Sequence, residues 1–220
     1  MGNLRVDAAT PFSSALRTQE ELLRRGEPAV HVAVLSGTVL SVGVGVPEGA
    51  PYVRRADSLG VPTARRSSGG TGILHLNRDL VWAVVLPRSD PRVGRDFVRA
   101  YPRLGAGLVT ALAGHGVSAS WVPAPGLSAE YCPLGPRGYV LELDGAVVGA
   151  AAQHLTGSTL LHHGTLSLSV DRDLVAQLFA FPDPSIVERL TGLDEQGLRE
   201  RPDRLAGEVG GALASDLGTA

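Results

Sequence analysis

The chain has 220 residues, 44% of them hydrophobic and 19% charged, with a formal net charge of −2. This length and apolar content fit one folded domain and exclude an intrinsically disordered chain. No apolar run reaches the ~18 residues of a membrane span, the N-terminus lacks the apolar core of a secretory signal, and the charge gives no reason to expect nucleic-acid binding. The single cysteine, Cys132, cannot form an internal disulfide, so a cytoplasmic location without a membrane is expected.

All 20 basic residues are arginine, and lysine is absent from the chain. A mechanism that needs a lysine amine of this protein is therefore excluded. That covers Schiff bases, phosphate-loop lysines and lysine-held adenylates.

The beginning of the chain predicts a helix followed by a hairpin. Residues 11–25 have amphipathic spacing, with arginines in the last turn. Two β-branched runs at 30–35 and 39–44 are joined by Ser-Gly-Thr. This spacing predicts two strands paired with each other.

The middle of the chain alternates between helical and extended patterns. A short helix is expected over 51–60, followed by a glycine-rich turn over 65–72 and an apolar strand over 80–86. Helical spacing then runs over 94–114, and the Pro- and Gly-rich stretch 121–138 predicts a loop.

The last part of the chain predicts strands and then helices. Alternation indicates strands over 139–144 and 160–170, with the small-residue run 146–152 between them. From Arg172 onward the pattern is helical and is broken at prolines and glycines. The expected fold class is α+β, as a single domain over 1–220 with a mixed, largely antiparallel sheet.

The segment Arg65-Arg-Ser-Ser-Gly-Gly-Thr-Gly-Ile-Leu-His75 is the most distinctive in the sequence. Its glycines let the backbone turn tightly and approach a ligand, and its N–H groups and arginines suit a phosphate or carboxylate. On its own, the pattern fits an ordinary surface turn equally well.

Two further segments extend this pattern. They are Asp144-Gly-Ala-Val-Val-Gly-Ala-Ala-Ala-Gln153 and Leu160-Leu-His-His-Gly-Thr-Leu166. In order and spacing, the three segments resemble the motifs of the lipoate–protein ligase family, which includes octanoyltransferases. The resemblance covers residues 12–216.

The resemblance implies a biotin/lipoate ligase-like fold, related to class II aminoacyl-tRNA synthetases. Family members activate lipoate or octanoate with ATP, or move an acyl group between carriers. The implied cofactor is ATP with Mg²⁺ for a ligase and none for an acyltransferase. The implied acceptor is the lysine of a lipoyl carrier domain or of a protein like the glycine cleavage H protein. No C-terminal accessory domain is expected, so either adenylation proceeds without one or a small partner protein supplies it.

The resemblance also assigns candidate site residues. The catalytic candidates are His75, His163 and Cys132. Cys132 is either a carrier of a thioester or an unreactive thiol, since the sequence places no base beside it. The ligand-binding candidates are Arg65, Arg66, Ser68, Gly69, Gly70, Thr71, Gly72, Val147, Gly149, Gln153, Gly164 and Thr165. No spacing of histidines, cysteine and carboxylates predicts a metal site.

The chain departs from the family pattern at its lysine, which aligns with Val147, and at the third glycine of the first motif, which is Thr71. An enzyme therefore needs a substitute for the lysine, such as Arg65, Arg66 or backbone N–H groups. The sequence favours acyl activation or transfer. A non-catalytic acyl- or acyl-nucleotide-binding protein and a member of the fold that forms a different amide or ester remain alternatives.

Several other residues are predicted to be structural. His31 and His115 fit core or helix-end positions, and His162 is expected on the opposite strand face from His163. The glycines of Val42-Gly-Val-Gly-Val46 imitate a phosphate loop, but no lysine follows them. A strand with close packing is the better interpretation.

Overall fold

A computed structural model describes residues 3–218 of the chain. The strands are β1 Asn3–Thr10, β2 Ala29–Leu35, β3 Val39–Val42, β4 Thr63–Arg65, β5 Gly72–His75, β6 Leu80–Pro87, β7 Ser120–Pro123, β8 Tyr139–Leu143, β9 Ala146–Leu155 and β10 Thr159–Leu166. The helices are α1 Phe12–Arg25, α2 Pro51–Ser58, α3 Phe97–Leu104, α4 Ala106–Ala113, α5 Arg172–Leu178 and α6 Pro202–Asp216. Short 3-10 helices cover Cys132–Leu134 and Pro184–Arg189.

The strands form two sheets. The large sheet has the order β1-β2-β6-β10-β9-β8-β7, and the small sheet has the order β4-β3-β5. Among the strands that the structure describes, only β1 with β2 and β3 with β4 pair in parallel, so the predicted mixed, largely antiparallel α+β fold is confirmed. Within residues 3–218, no helix is long and apolar enough to cross a membrane.

Helices cover both faces of the large sheet. On one face, α4 and α6 pack over the central strands around Trp82, which is fully buried. On the other face lies α1, whose apolar stripe contacts β2, β6 and β10. A separate apolar cluster joins the small sheet to α2, α5 and the β8–β9 end of the large sheet. One side of α1, the small sheet and β9 therefore surround the same region of the molecule.

The hairpin predicted from 30–35 and 39–44 is wrong. β2 pairs with β1 and β6 in the large sheet, whereas β3 pairs with β4 and β5 in the small sheet. All seven residues of β2 are buried. A strand covered on both faces belongs in a sheet interior, which a two-stranded hairpin cannot provide.

The single helix predicted over 94–114 is divided at Gly105 into α3 and α4. A Cβ on Gly105 would lie 2.6 Å from the indole of Trp121, and the Trp121 Nε1–H donates to the Gly105 carbonyl at 2.9 Å. This close approach interrupts the helix.

Other boundaries also differ. β10 ends at Leu166 rather than 170, because the Leu168 N–H donates to the Asp79 carboxylate instead of a neighbouring strand. β1 was not anticipated, and β7 occupies part of the predicted loop 121–138. After Arg172, only α5 and α6 are regular α-helices in the described part of the chain.

Candidate active site

The glycine-rich segment 66–71 folds as a loop held against the end of β3. Gly43 N donates to Thr71 O at 3.3 Å, and Val44 N donates to Ser68 O at 3.0 Å. A Cβ on Gly43 would lie 2.2 Å from the Gly70 carbonyl oxygen, so this position tolerates only glycine. The close packing predicted for the 42–46 segment is found at Gly43, but the predicted strand ends at Val42 and a Cβ on Gly45 would meet nothing within 4 Å. Gly70 supplies the left-handed turn of the loop, with φ of +95°.

Both motif arginines bind backbone carbonyls. The half-exposed Arg65 donates from Nη1 to the carbonyls of Gly43, Val44 and Val46. Arg66 is 3% exposed and donates from Nη2 to Gly69 O and Thr71 O, both at 3.0 Å. The Arg66 guanidinium thus fixes the shape of the glycine-rich loop from beneath.

Within the described part of the chain, the Arg66 cation has no anionic partner. No carboxylate among residues 3–218 forms an ion pair with it, and its Nε has no hydrogen-bond partner. Burial lowers the pKa of the guanidinium, yet arginine stays charged in proteins. An unpaired buried cation is costly, so it favours an anion at the neighbouring surface.

His75 belongs to a directional hydrogen-bond chain. Arg66 Nη1 donates to Ser41 Oγ at 3.1 Å, and Ser41 Oγ lies 2.8 Å from His75 Nε2. Thr165 Oγ1 donates to the Leu80 carbonyl, so it accepts from His75 Nδ1 at 3.3 Å. Because Nδ1 carries the proton, Nε2 accepts from Ser41, and the ring is neutral.

His163 forms a second chain beside the first. Its Nδ1 donates to Gln19 Oε1 at 2.9 Å, and its Nε2 accepts from Ser68 Oγ at 2.7 Å. Burial, with the nearby Arg66 charge, lowers the pKa of His163 to about 3, and the same causes lower the pKa of His75 to about 3. Both rings therefore stay neutral and have no free lone pair in the inner site.

The inner site encloses little space. The cavity between α1 and the two sheets has a volume of about 30 Å³ and is walled by Phe12, Ala150 and both histidines. The Phe12 ring packs on His75 with centroids 4.6 Å apart. Ligand pockets usually measure ~300 Å³ or more, so this cavity holds no medium-length acyl chain in this conformation.

An open cleft of about 520 Å³ lies on the other side of the glycine-rich loop. Its walls include Gly69–Thr71, Cys132, Tyr101 and Gln153. The point where a Gly70 Cβ would stand is 3.1 Å from Cys132 Sγ and 2.8 Å from Arg66 Nη2. The only thiol of the chain and the unpaired buried cation therefore approach the same stretch of the loop.

Among the sequence candidates that do not line this cleft, three glycines and Val147 have packing roles. Gly149 and Gly164 permit close backbone packing, because a Cβ would come within 2.5 Å of Thr165 O and 2.3 Å of Ala150 O, respectively. Gly72 packs against Phe179 in the same manner. Val147 is 3% exposed and lies in the apolar cluster with Tyr131 and Leu190.

A β-bulge explains the position of Val147. Glu142 pairs with Val147 while Leu141 pairs with Gly149, so one residue of β9 is extra. Simple alternation would place Val147 on the opposite face from Ala150, but the bulge puts both in one apolar cluster. Thr71 occupies a loop position without positive φ, so its Cβ fits there.

The structure adds residues that sequence reasoning did not select. Gln19, Ser41 and Tyr101 come from three separate elements, and their polar groups meet the motif residues only in the folded chain. No spacing in the sequence marks them. Among the described residues, no group of three His, Cys, Asp or Glu side chains could hold a metal ion.

The two sheets and the helices that cover them form the fold of the lipoate-protein ligases. The structure superposes on a lipoate-protein ligase A bound with ATP with a TM-score of 0.78 and 18% identity, over 99% of this chain and 86% of that one. A bi-partite lipoate protein ligase of Thermoplasma acidophilum, solved with its E2 lipoyl domain, gives 0.75 and 16% over 99% and 84%.

The lipoyl protein ligase A/B catalytic domain matches residues 14–197, so the chain belongs to that family. The octanoyltransferase LipM of Brevibacillus brevis is 29% identical over 142 residues, which is 60% of this chain and 50% of that protein. LipM of Bacillus subtilis is 27% identical over 135 residues, or 57% and 48%. The chain spans about half the length of these curated relatives.

Proposed function

We propose that this chain is an acyltransferase that carries an octanoyl or lipoyl group as a thioester on Cys132 and passes it to the lysine of a lipoyl carrier domain. The supporting observation is the placement of Cys132 Sγ in the open cleft beside the glycine-rich loop and the Arg66 guanidinium. The relatives named octanoyltransferase support the same chemistry.

The first half of the reaction loads the enzyme. The Cys132 sulfur attacks the carbonyl carbon of an acyl thioester, and its proton leaves with the thiol of the donor. Arg66 attracts the negative charge that develops on the sulfur and the acyl oxygen, and it takes the electrostatic role of the missing lysine. The buried position beneath the loop strengthens this attraction because water is excluded.

The second half transfers the acyl group. The uncharged ε-amine of the acceptor lysine attacks the Cys132 thioester, the amide forms, and the sulfur departs with the electron pair of the C–S bond. The amine proton is lost to the sulfur or to water in the open cleft. His75 and His163 are proposed to hold the loop rather than to move protons, because both ring nitrogens of each are already bonded.

Intact-mass spectrometry tests this function. The protein is incubated with octanoyl-coenzyme A as thioester donor, and then with a lipoyl domain. We expect one octanoyl adduct on the wild-type chain, its transfer to the acceptor, and neither with Cys132→Ala. Because the chain has one cysteine, the position of the adduct is unambiguous. A parallel sample with octanoate, ATP and Mg²⁺ tests the ligase alternative, which predicts acceptor modification that survives Cys132→Ala.

A binding-only function is the second candidate, and Val147 favours it. A valine in an apolar cluster stands where the family has its lysine, which removes a charge that the family uses on the acyl group. Calorimetric titration with octanoate and lipoate that shows binding, together with no adduct and no acceptor modification in either assay, would establish this candidate.

A further inference from the structure

Cys132 begins a short 3-10 helix that is connected to the rest of the molecule through Glu130. The Glu130 carbonyl accepts a hydrogen bond from Gly72 N at 3.0 Å, which holds this part of the chain against β5. The Glu130 carboxylate accepts from Ala180 N at 2.8 Å and from Arg55 Nη2. One residue therefore connects the thiol to β5, to α2 and to the end of α5.

The groups that donate to the Glu130 carboxylate are themselves fixed by other contacts. Arg55, on α2, also donates from Nε to the carbonyl of Leu178 at 2.6 Å. The ring of Phe179 packs on the ring of Tyr131, with centroids 4.6 Å apart. The Glu130 side chain is only 20% exposed, so water competes less for its hydrogen bonds than it does at an open surface.

The thiol and the Arg66 guanidinium approach the same point of the glycine-rich loop. A Cβ on Gly70 would stand 3.1 Å from Cys132 Sγ and 2.8 Å from Arg66 Nη2. The guanidinium is held in this position by the carbonyls of Gly69 and Thr71. A displacement of ~1 Å at a reacting atom can cost ~100-fold in rate. The effect of the cation on the sulfur therefore depends on how firmly the chain around Cys132 is held.

We propose that Glu130 is a positioning residue that keeps Cys132 Sγ beside the Arg66 guanidinium. It does so by accepting hydrogen bonds from Arg55 and Ala180 rather than through its own charge, which the ion pair with Arg55 neutralises. The kinetic consequence rests on the proposed function, because Arg66 attracts the negative charge that develops when the sulfur attacks the acyl carbonyl.

Two uncharged substitutions separate the hydrogen bonds from the charge. Glu130→Gln keeps an acceptor oxygen, whereas Glu130→Met has a similar length and only a weakly accepting sulfur. For octanoyl transfer from octanoyl-coenzyme A to Cys132, we expect Glu130→Met to lose about 30-fold in maximal rate, with little change in the half-saturating donor concentration. Glu130→Gln should stay within about threefold of the wild type. Equal rates in the two variants would overturn the proposal.

A double substitution tests whether Glu130 acts through Arg66. In an Arg66→Gln chain there is no cation to align with the sulfur, so adding Glu130→Met should cost less than about threefold. Additive losses would indicate a general structural role and would overturn the proposal. Glu142→Met is the matched control, because this carboxylate on β8 is 25% exposed and also pairs with an arginine. It should keep the wild-type rate.

Alkylation of the single cysteine measures the position of the thiol without acyl transfer. Iodoacetate is negatively charged and iodoacetamide is neutral, so the ratio of their reaction rates reports the positive potential at the sulfur. We expect a lower ratio in Glu130→Met than in Glu130→Gln, and equal ratios would refute the positioning role. Absence of an octanoyl adduct in the wild type would instead refute the proposed function, and the alkylation ratios would still decide the role of Glu130.

A second comparison applies if Glu130→Met does not fold, which circular dichroism would detect. Arg55→Met, introduced into the Glu130→Gln chain, removes one of the two hydrogen bonds to residue 130 without leaving a charge unpaired. The Arg55 side chain is 35% exposed, so this change disturbs the interior little. Both the octanoylation rate and the alkylation ratio should fall about threefold or more below those of Glu130→Gln. Unchanged values would overturn the proposal.

Discussion

The glycine-rich loop separates two regions of different chemical character. The inner region holds His75 and His163, both buried, neutral and fully hydrogen-bonded around a cavity of about 30 Å³. The outer region is an open cleft of about 520 Å³ that exposes the thiol of Cys132. Arg66 lines the inner cavity and, from beneath the loop, donates to the carbonyls of Gly69 and Thr71, which line the cleft. The residues of the strongest sequence motif form the support of this region, while a residue outside the motif supplies the thiol of the proposed reaction.

The largest effect is expected at Arg66, which connects the two regions. Arg66→Gln removes the cation and two bonds to loop carbonyls, so acyl transfer should fall about 100-fold or more. Arg24→Gln, on the exposed end of α1, is the matched control and should keep the wild-type rate. Octanoylation of Cys132 followed by intact mass measures both. An unchanged rate in Arg66→Gln would show that the cleft works without the charge beneath it.

The next largest effect is expected on stability, where the glycine-rich loop packs against the end of β3. Gly43→Ala places a Cβ 2.2 Å from Gly70 O and should lower the free energy of unfolding by about 2 kcal/mol. Gly45→Ala is two residues away, where a Cβ meets nothing within 4 Å, and should change it by less than about 0.5 kcal/mol. Urea unfolding distinguishes them. Equal values for the pair would mean that the loop adapts freely to the added atom.

The third prediction uses the neutral histidines of the inner region. Because folding lowers the pKa of His163 from 6.5 to about 3, the unfolded chain binds more protons between these values, and stability falls as the pH drops below 6.5. His75 and His162 act in the same direction, with pKa values lowered to about 3. Burial raises the pKa of Asp79 to about 7, so this one group acts in the opposite direction.

His163→Gln removes one of these buried histidines, and with it one of the protons that the unfolded chain binds at low pH. The loss of stability between pH 6 and pH 5 should be smaller by about 1 kcal/mol than in the wild type, and urea unfolding at the two pH values measures it. Ordinary surface histidines would give no such change. An identical pH dependence in wild type and variant would mean that His163 is accessible to protons, which would make the inner region similar to the cleft.

The smallest effect is expected at Arg65. Its three carbonyl contacts hold the 43–46 segment at the surface, where water competes with them. Arg65→Gln should lower the free energy of unfolding by about 0.5 kcal/mol and reduce acyl transfer less than threefold. Measuring Arg65→Gln together with Arg66→Gln compares the effects of the exposed arginine and of the buried arginine that follows it in the sequence. A loss as large as that of Arg66→Gln would place Arg65 on the ligand.

Much of the architecture could be predicted from the sequence. The family and the mixed α+β fold follow from three motifs whose order and spacing can be recognised in the sequence alone. The apolar periodicities predicted α1, β6 and β8 close to their observed bounds. The hairpin failed because β2 and β3 are local neighbours that pair with distant strands. The break at Gly105 depends on Trp121, 16 residues further along the chain.

The sequence by itself determined which residue types are available: no lysine, one thiol, a glycine-rich loop and two motif histidines. Only the tertiary structure decided what each of them does. Burial and hydrogen bonding keep the rings of His75 and His163 neutral and leave none of their ring nitrogens free. A β-bulge directs the side chain of Val147 into an apolar cluster. Cys132 comes to the loop 60 residues before it because Gly72 N bonds to Glu130 O and draws the 3-10 helix against β5. Such contacts between residues far apart in the sequence depend on tertiary packing, which local sequence patterns do not encode.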